Sequence, residues 1–413
     1  MIIPALDQVT IAALLDWVQM GGDIDGEAAS DQSGISVSLS SDGTIVAIGA
    51  YANDGAGGAN SGHVRVYQYD ATKTTAETDQ TSSDFGPVGW RRLGADIDGD
   101  ATSDFSGFSV SLSSDGTILA VGAHGNDDAG SAAGHVKVYE YSGGSWSQLG
   151  ADINGEAASD QSGISVSLSD DGTIVAIGAH TNNGAGSNAG HARVYEYDAT
   201  KTTTVTDQSS ADFGPIGWRR LGADIDGEAA DDYSGYSVSL SSDGTIVAIG
   251  AYLNDGTGSN AGHVRVYEYD ATKTTAETDQ SSADFGPIGW RRLGADIDGE
   301  ASEDRNGCCV SLSSDGTIVA IGARGNDDAG TTAGHVRVYE YDATKTTAET
   351  DQTSSDFGPV GWRRLGADID GEAAGDNSGI SVSLSSDGSI VAIGAIHNDG
   401  TGTSAGHVRV YQI

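Results

Sequence analysis

Ser234-Gly235-Tyr236-Ser-Val-Ser-Leu-Ser-Ser-Asp243-Gly244-Thr-Ile-Val-Ala-Ile-Gly250-Ala251, followed after a loop by Gly262-His263-Val-Arg-Val-Tyr-Glu-Tyr269, is a stretch that this chain spells six times. Equivalent stretches begin at Gly34, Gly107, Gly163, Gly307 and Gly379. An internal period of this size fixes the fold class before anything else is read. In the first copy, residues 35–40 alternate Val37 and Leu39 with serines, the period-two pattern of a strand. Ser41-Asp42-Gly43 then reads as a hairpin, because Asp-Gly supplies the positive φ of a tight turn. Residues 44–50 are apolar on both faces, as in a strand sandwiched between layers. Residues 63–69 are β-branched and aromatic, and a fourth strand follows from Trp90 to Leu93.

The join between the third and fourth strands sets their direction. In one copy it is only Ser142-Gly143-Gly144-Ser145, short enough for a hairpin, so the two strands are antiparallel neighbours. Elsewhere the join is a Thr-, Ser- and Asp-rich insert such as residues 270–289, expected to be a surface loop or hairpin tip. Trp17, Trp90, Trp146, Trp218, Trp290 and Trp362 mark the fourth strands. Four-stranded antiparallel units at this spacing predict an all-β, six-bladed β-propeller. Residues 1–13 form an N-terminal extension and 14–413 a single propeller domain. Its blades cover residues 34–94, 107–150, 163–222, 235–294, 307–366, and 379–413 plus 14–22. The N-terminal Trp17 strand is thus expected to join the three C-terminal strands and close the ring, which removes open sheet edges.

Bulk composition excludes several function classes. Sixty acidic residues face twenty basic ones in 413, a net charge of −40. Nucleic acid is not an expected partner, since its affinity rests on Lys and Arg neutralising phosphates, and anionic membranes are excluded on the same ground. No apolar run is long enough to cross a bilayer. Met1-Ile-Ile-Pro-Ala-Leu-Asp7 lacks the basic start of a signal peptide. Cys308 and Cys309 are adjacent and point to opposite faces of a strand, so they do not bridge each other.

The start of the inner strand (Phe105-Ser-Gly107-Phe108) and the Ile-Gly-Ala end of the second strand resemble the FG-GAP repeat, the blade unit of integrin alpha-subunit propellers. The resemblance covers residues 14–413. It is closest to FG-GAP-like arrays of microbial and algal surface proteins that carry Ser-Val-Ser-Leu-Ser-Ser-Asp-Gly and Gly-His-Val-Arg-Val-Tyr. It implies a propeller for adhesion or ligand binding. The chain departs from that family in three ways. The family's calcium loop between the first two strands is here the short turn Ser-Ser-Asp-Gly, so that site does not carry over. The proline of Gly-Ala-Pro is replaced by Tyr51, His124, His180, Tyr252, Arg324 or Ile396. Integrin propellers also have one blade more.

Alternating strand direction puts the loop between strands two and three on the face of the inter-blade crossovers. Asn53-Asp54-Gly55 then lies beside Asp23-Ile24-Asp25-Gly26-Glu27, giving one strongly acidic face, with the Ser-Ser-Asp-Gly turns and the inserts on the other. The crossovers repeat a carboxylate set: Asp23, Asp25 and Asp31; Asp96, Asp98 and Asp104; Asp152, Asn154 and Asp160; Asp224, Asp226 and Asp232; Asp296, Asp298 and Asp304; Asp368, Asp370 and Asp376. Oxygen ligands at this density make Ca2+ the candidate cofactor. The alternative, in which these Asp side chains bond to backbone amides and shape turns, stays open. His63, His135, His191, His263, His335 and His407 lack a second His at metal-ligand spacing and read as structural. Arg91-Arg92 recurs in four units but is Ser147-Gln148 in another. Catalysis needs an asymmetric convergence of acid, base and stabiliser, whereas near-identical blades supply six copies of each group. The expectation is a monomeric, non-enzymatic extracellular or cell-surface propeller binding a protein or glycan ligand on its acidic face. The alternatives are a carbohydrate-binding or carbohydrate-active propeller, or a structural piece of a larger surface protein.

Overall fold

Asp42 shows how each copy starts its sheet. Its Oδ1 accepts hydrogen bonds from Ser40 Oγ, the Thr44 amide and Thr44 Oγ1 at 2.8, 2.9 and 2.8 Å, and Gly43 takes a φ of +69°. In the computed structural model, which describes residues 19–400 and 403–412, this turn joins β1 (Ser36–Leu39) to β2 (Ile45–Ala50). With β3 (His63–Tyr69) and β4 (Trp90–Arg92) they form an antiparallel sheet in the order β1-β2-β3-β4. The fourth strand has a second piece that the sequence pattern did not announce. Residues 94–96 leave the ladder, and β5 (Ile97–Asp98) returns to pair with His63 and Val64. In the fifth unit the two pieces are one strand, Trp362–Asp370, with a register shift at the same place.

Six such sheets succeed one another in a ring, so the chain is the six-bladed β-propeller expected. The core lies between blades. Ala176, Val194 and Leu221 of the third blade pack on Val238, Leu240, Val247, Ile249 and Trp290 of the fourth, and the other successive junctions from the first blade to the sixth repeat this. The indole N–H of Trp290 donates to the Leu221 carbonyl at 3.0 Å. The inner-strand serines also act across blades. Ser165 Oγ donates to the Gly235 carbonyl at 2.9 Å, and Ser167 Oγ accepts from the Leu240 amide at 3.0 Å. Small hydroxyls therefore line the axis because they cross-link neighbours there.

Met20 O accepts from the Trp90 indole at 2.7 Å, just as Leu93 O accepts from Trp146 at 2.7 Å. Residue 20 thus sits where a preceding fourth strand ends. The Trp17 strand itself, its expected pairing with the last blade, and the extension 1–13 lie outside the described residues. Among the described residues the sixth blade has three strands, Ser381–Leu384, Ile390–Ala395 and His407–Gln412. Val37 and Leu39 of the first blade and Val408 and Val410 of the sixth are exposed, while their counterparts Val110, Leu112, Val64 and Val66 are buried. No helix among the described residues is long and apolar enough to cross a membrane.

Candidate functional site

On a strand, residues two apart share a face, so His263 and Arg265 point the same way. In the fourth blade Arg265 grips Asp296 with both arms, Nε to Oδ1 at 2.9 Å and Nη2 to Oδ2 at 2.8 Å. Asp296 can receive it because residues 294–296 bulge out of the ladder. Glu228 from the preceding crossover pairs with the same guanidinium, and Arg292 closes on Asp296 from the fourth strand. The insert completes the cluster. It forms a short hairpin with a Glu277–Gly286 bridge, folds back to the crossover face, and lays Phe285 against Arg265 and Arg292. Gln280 Nε2 donates to Glu228. The insert, expected on the opposite face, is therefore a lid over an ionic cluster, and the lid recurs in the first, third and fifth blades.

Burial, and then the Arg265 charge, lower the His263 pKa to about 4, so this histidine is neutral. Burial would raise the Asp296 pKa, but the Arg265 hydrogen bonds and charge hold it below 3.8.

The predicted crossover carboxylates separate into three places. Asp96, Asp224, Asp296 and Asp368 are held by paired arginines. Asp31, Asp104, Asp160, Asp232, Asp304 and Asp376 are buried and accept the backbone amide three residues earlier at 2.9–3.0 Å, fastening their own turn. Five of them also accept from the Asn of the adjoining loop, as Asp31 does from Asn53 at 3.0 Å, so the two acidic loops adjoin as expected. Asp98, Asp226, Asp298 and Asp370 pair opposite the histidines on the short return strand. Asp23 accepts from Gln19 Nε2, and Asp25 lines a small pocket with His63 and Arg65. Asp152 and Asn154 border a cleft of about 270 Å3 with Arg193, Val205 and Gln208.

One pH effect follows. Burial, followed by the adjacent Asp296 or Asp224 charge, pushes Asp298 and Asp226 up to about 6. A carboxyl raised on folding stabilises the fold below its unfolded value of 3.8, and that contribution is lost as pH rises through about 6. Both side chains are partly exposed, which limits each effect to about 1 kcal/mol. The Asp226→Asn/Asp298→Asn double variant, copying Asn154, should melt above the parent at about pH 7.5 and level with it at about pH 4. Equal differences at both pH values would contradict this.

The second part of the site was missed in the sequence. At the end of the axis on the crossover face, three positions per blade meet, and at each of them the copies differ. Residues 32, 105, 161, 233, 305 and 377 are Gln, Phe, Gln, Tyr, Arg and Asn; the residue after Gly-Ala varies as already noted; and the first inner-strand residue is Ile35, Phe108, Ile164, Tyr236, Cys308 or Ile380. The fold stacks them. Phe105 lies parallel to His124 at 5.3 Å, with Phe108 edge-on at 4.5 Å and Tyr51 beside both phenyl rings. Across the mouth, His180, Tyr233, Tyr236 and Tyr252 form a second group, with Tyr236 and Tyr252 centroids 4.3 Å apart and Arg324 over Tyr252 at 5.6 Å. Phe108, Ile164, Tyr236 and Cys308 edge an axial cavity of about 790 Å3. Burial lowers His124 and His180 to about 4, and each has a buried Nδ1 without a partner. The signal was present as internal variation, but its meaning depends on three separated positions converging.

Residues 223–267 match the FG-GAP repeat. This propeller carries the FG-GAP repeat. The match holds the crossover and first three strands of one blade, the stretch that the chain repeats. No curated protein matches this FG-GAP propeller. Among solved structures it is similar to hydrazine synthase of Kuenenia stuttgartiensis, at 14% identity and a TM-score of 0.47, covering 95% of this chain and 99% of that one. It is also similar to a periplasmic gluconolactonase of Pseudomonas aeruginosa, at 14% identity and a TM-score of 0.48, covering 91% and 80%. A Bacteroides uniformis protein named as a candidate 6-phosphogluconolactonase follows at 12% and 0.42, covering 88% and 82%. At these identities the likeness is one of fold. The expectation of a non-enzymatic adhesion protein is corrected here, because its physical ground fails: the blades do supply unique residues, and they supply them together at the axial mouth.

Proposed function

We propose that this FG-GAP propeller binds a small, hydroxylated, anionic ligand at the axial mouth and acts on it by proton transfer. The observation that supports this is the concentration of blade-to-blade differences in one half-buried ring of aromatic, His and Arg side chains. Tyr and Phe rings provide flat platforms with hydroxyl handles. Arg324 suits a carboxylate or phosphate, which its planar fork binds bidentately. Neutral His124 and His180 are proton acceptors. The cavity of about 790 Å3 lies within the small-molecule range.

Sugar acids and their lactones, the class named by the lactonases above, are the first probes, tested by thermal shift and by turnover. Wild type should respond to at least one. Arg324→Ile and Tyr236→Ile place in these blades the residue that Ile396 and Ile35 supply in others, so the fold should survive and the response should be lost. His180→Ala should keep binding and lose turnover. Full response in both Ile variants, or none from wild type to the whole panel, would refute the reading.

A further inference from the structure

The second blade breaks the ionic pattern of its neighbours in five ways at once. Lys137 stands where the others have the paired arginine of the third strand, and Gln148 replaces the second arginine. Asp100 replaces Glu, and Asp128 adds a carboxylate where the first, third, fourth and sixth blades have Gly55, Gly184, Gly256 and Gly400. The insert that would cover the cluster is missing. What remains is Asp100, Asp128 and Asp152 around His135, each offering a ligand atom within 4.8 Å of the others. Lys137 is the cation facing them, in contact with Asp100 and 3.9 Å from Asp152. Three carboxylates against one ammonium leave a charge of −2. His135 is 3% exposed, and its Nδ1 is buried without a hydrogen-bond partner. In the sister blades it is this nitrogen that faces the cluster carboxylate, at 3.6 Å in His63 and 3.7 Å in His263.

We propose that Asp100, Asp128, His135 and Asp152 form a site for one divalent first-row metal ion, with Zn2+ or Mn2+ as the fitting class. An unpartnered imidazole nitrogen is a good ligand for such ions, whereas Ca2+ takes oxygen ligands. Ligand distances of about 2.0–2.2 Å let one ion span the cluster with small side-chain rotations. The ion displaces Lys137, whose flexible stem lets the ammonium swing to solvent; an arginine fork held by two carboxylate oxygens would not yield in this way. That is why the fifth blade, which has the matching Glu300, Asp328, His335 and Asp368, is not a second site. There Arg337 and Arg364 already occupy Asp368, under the Phe357 lid. Bound metal would tie two crossovers, a loop and a strand of one blade together.

The test is calorimetric titration of the chelator-treated full chain with ZnCl2, MnCl2 and CaCl2. Wild type should bind one Zn2+ or Mn2+ and melt higher with it. Asp128→Gly and Lys137→Arg each install the residue of sister blades, so both should fold. Each should weaken binding by about tenfold or more, while Asp328→Gly should not. No binding by wild type, wild-type affinity in both second-blade variants, an equal loss in Asp328→Gly, or Ca2+ binding as tight as that of Zn2+ and Mn2+ would each overturn the proposal.

Discussion

Trp290→Ala is expected to lower the free energy of unfolding by about 3–5 kcal/mol, the cost of deleting a large ring from a packed core. The side chain is fully buried between two blades, so its loss leaves a cavity in contact with both. It also strands the Leu221 carbonyl, which accepts the indole N–H at 3.0 Å. Trp290→Phe keeps most of the apolar contact and loses only that bond, so about 1–2 kcal/mol is expected. Trp146→Ala supplies the contrast. Trp146 is only half-buried because its blade lacks an insert, and its removal should cost clearly less than that of Trp290. Urea denaturation midpoints of the three variants check the order. Similar losses at 146 and 290 would show that the cores between blades are not where stability resides.

Arg265→Ala is the second large effect, again about 3–5 kcal/mol, because removing one partner of a buried ion pair leaves uncompensated charge. Asp296 and Glu228 would face each other without the guanidinium that separates them, and Phe285 would lose the cation beneath it. Adding Asp296→Ala should recover part of the loss, since the residual penalty is that of the stranded carboxylate. Lys137→Ala at the equivalent position should cost under about 1 kcal/mol, because an open ion pair in high dielectric contributes little. A loss at Arg265 no greater than at Lys137 would mean that the lid and the arginine fork add nothing to the fold.

Much of the architecture was legible in the chain. Asp-Gly turns rest on contacts close in sequence, and serine alternation and the tryptophan spacing are legible as repeated patterns although their contacts cross to the next blade. The β3 strand has the expected bounds. The bulge before Ile97 was not legible, because it is dictated by Arg265-type side chains reaching a crossover carboxylate about thirty residues away. The insert read as a plain loop for the same reason: its Phe and Gln have meaning only once the arginines are beneath them. The crossover carboxylates looked alike on paper, yet the fold assigns them to arginines, to their own turns and to histidine-facing positions. The axial mouth was the largest omission. Tyr236, Tyr252 and Arg324 are far apart in sequence and individually unremarkable, and only ring geometry makes them one surface. Exclusion of an enzyme by blade identity therefore used the right premise on the wrong residues.

The central claim is that function resides where the blades differ, at the axial mouth, and not on the loops that they share. The most direct measurement is the difference electron density of crystals soaked with whichever sugar acid or lactone gives the strongest thermal shift. The account predicts density against Tyr236, Tyr252 and Arg324 at the end of the axial cavity. Density on the copied acidic loops or inserts, with the mouth empty, would contradict it.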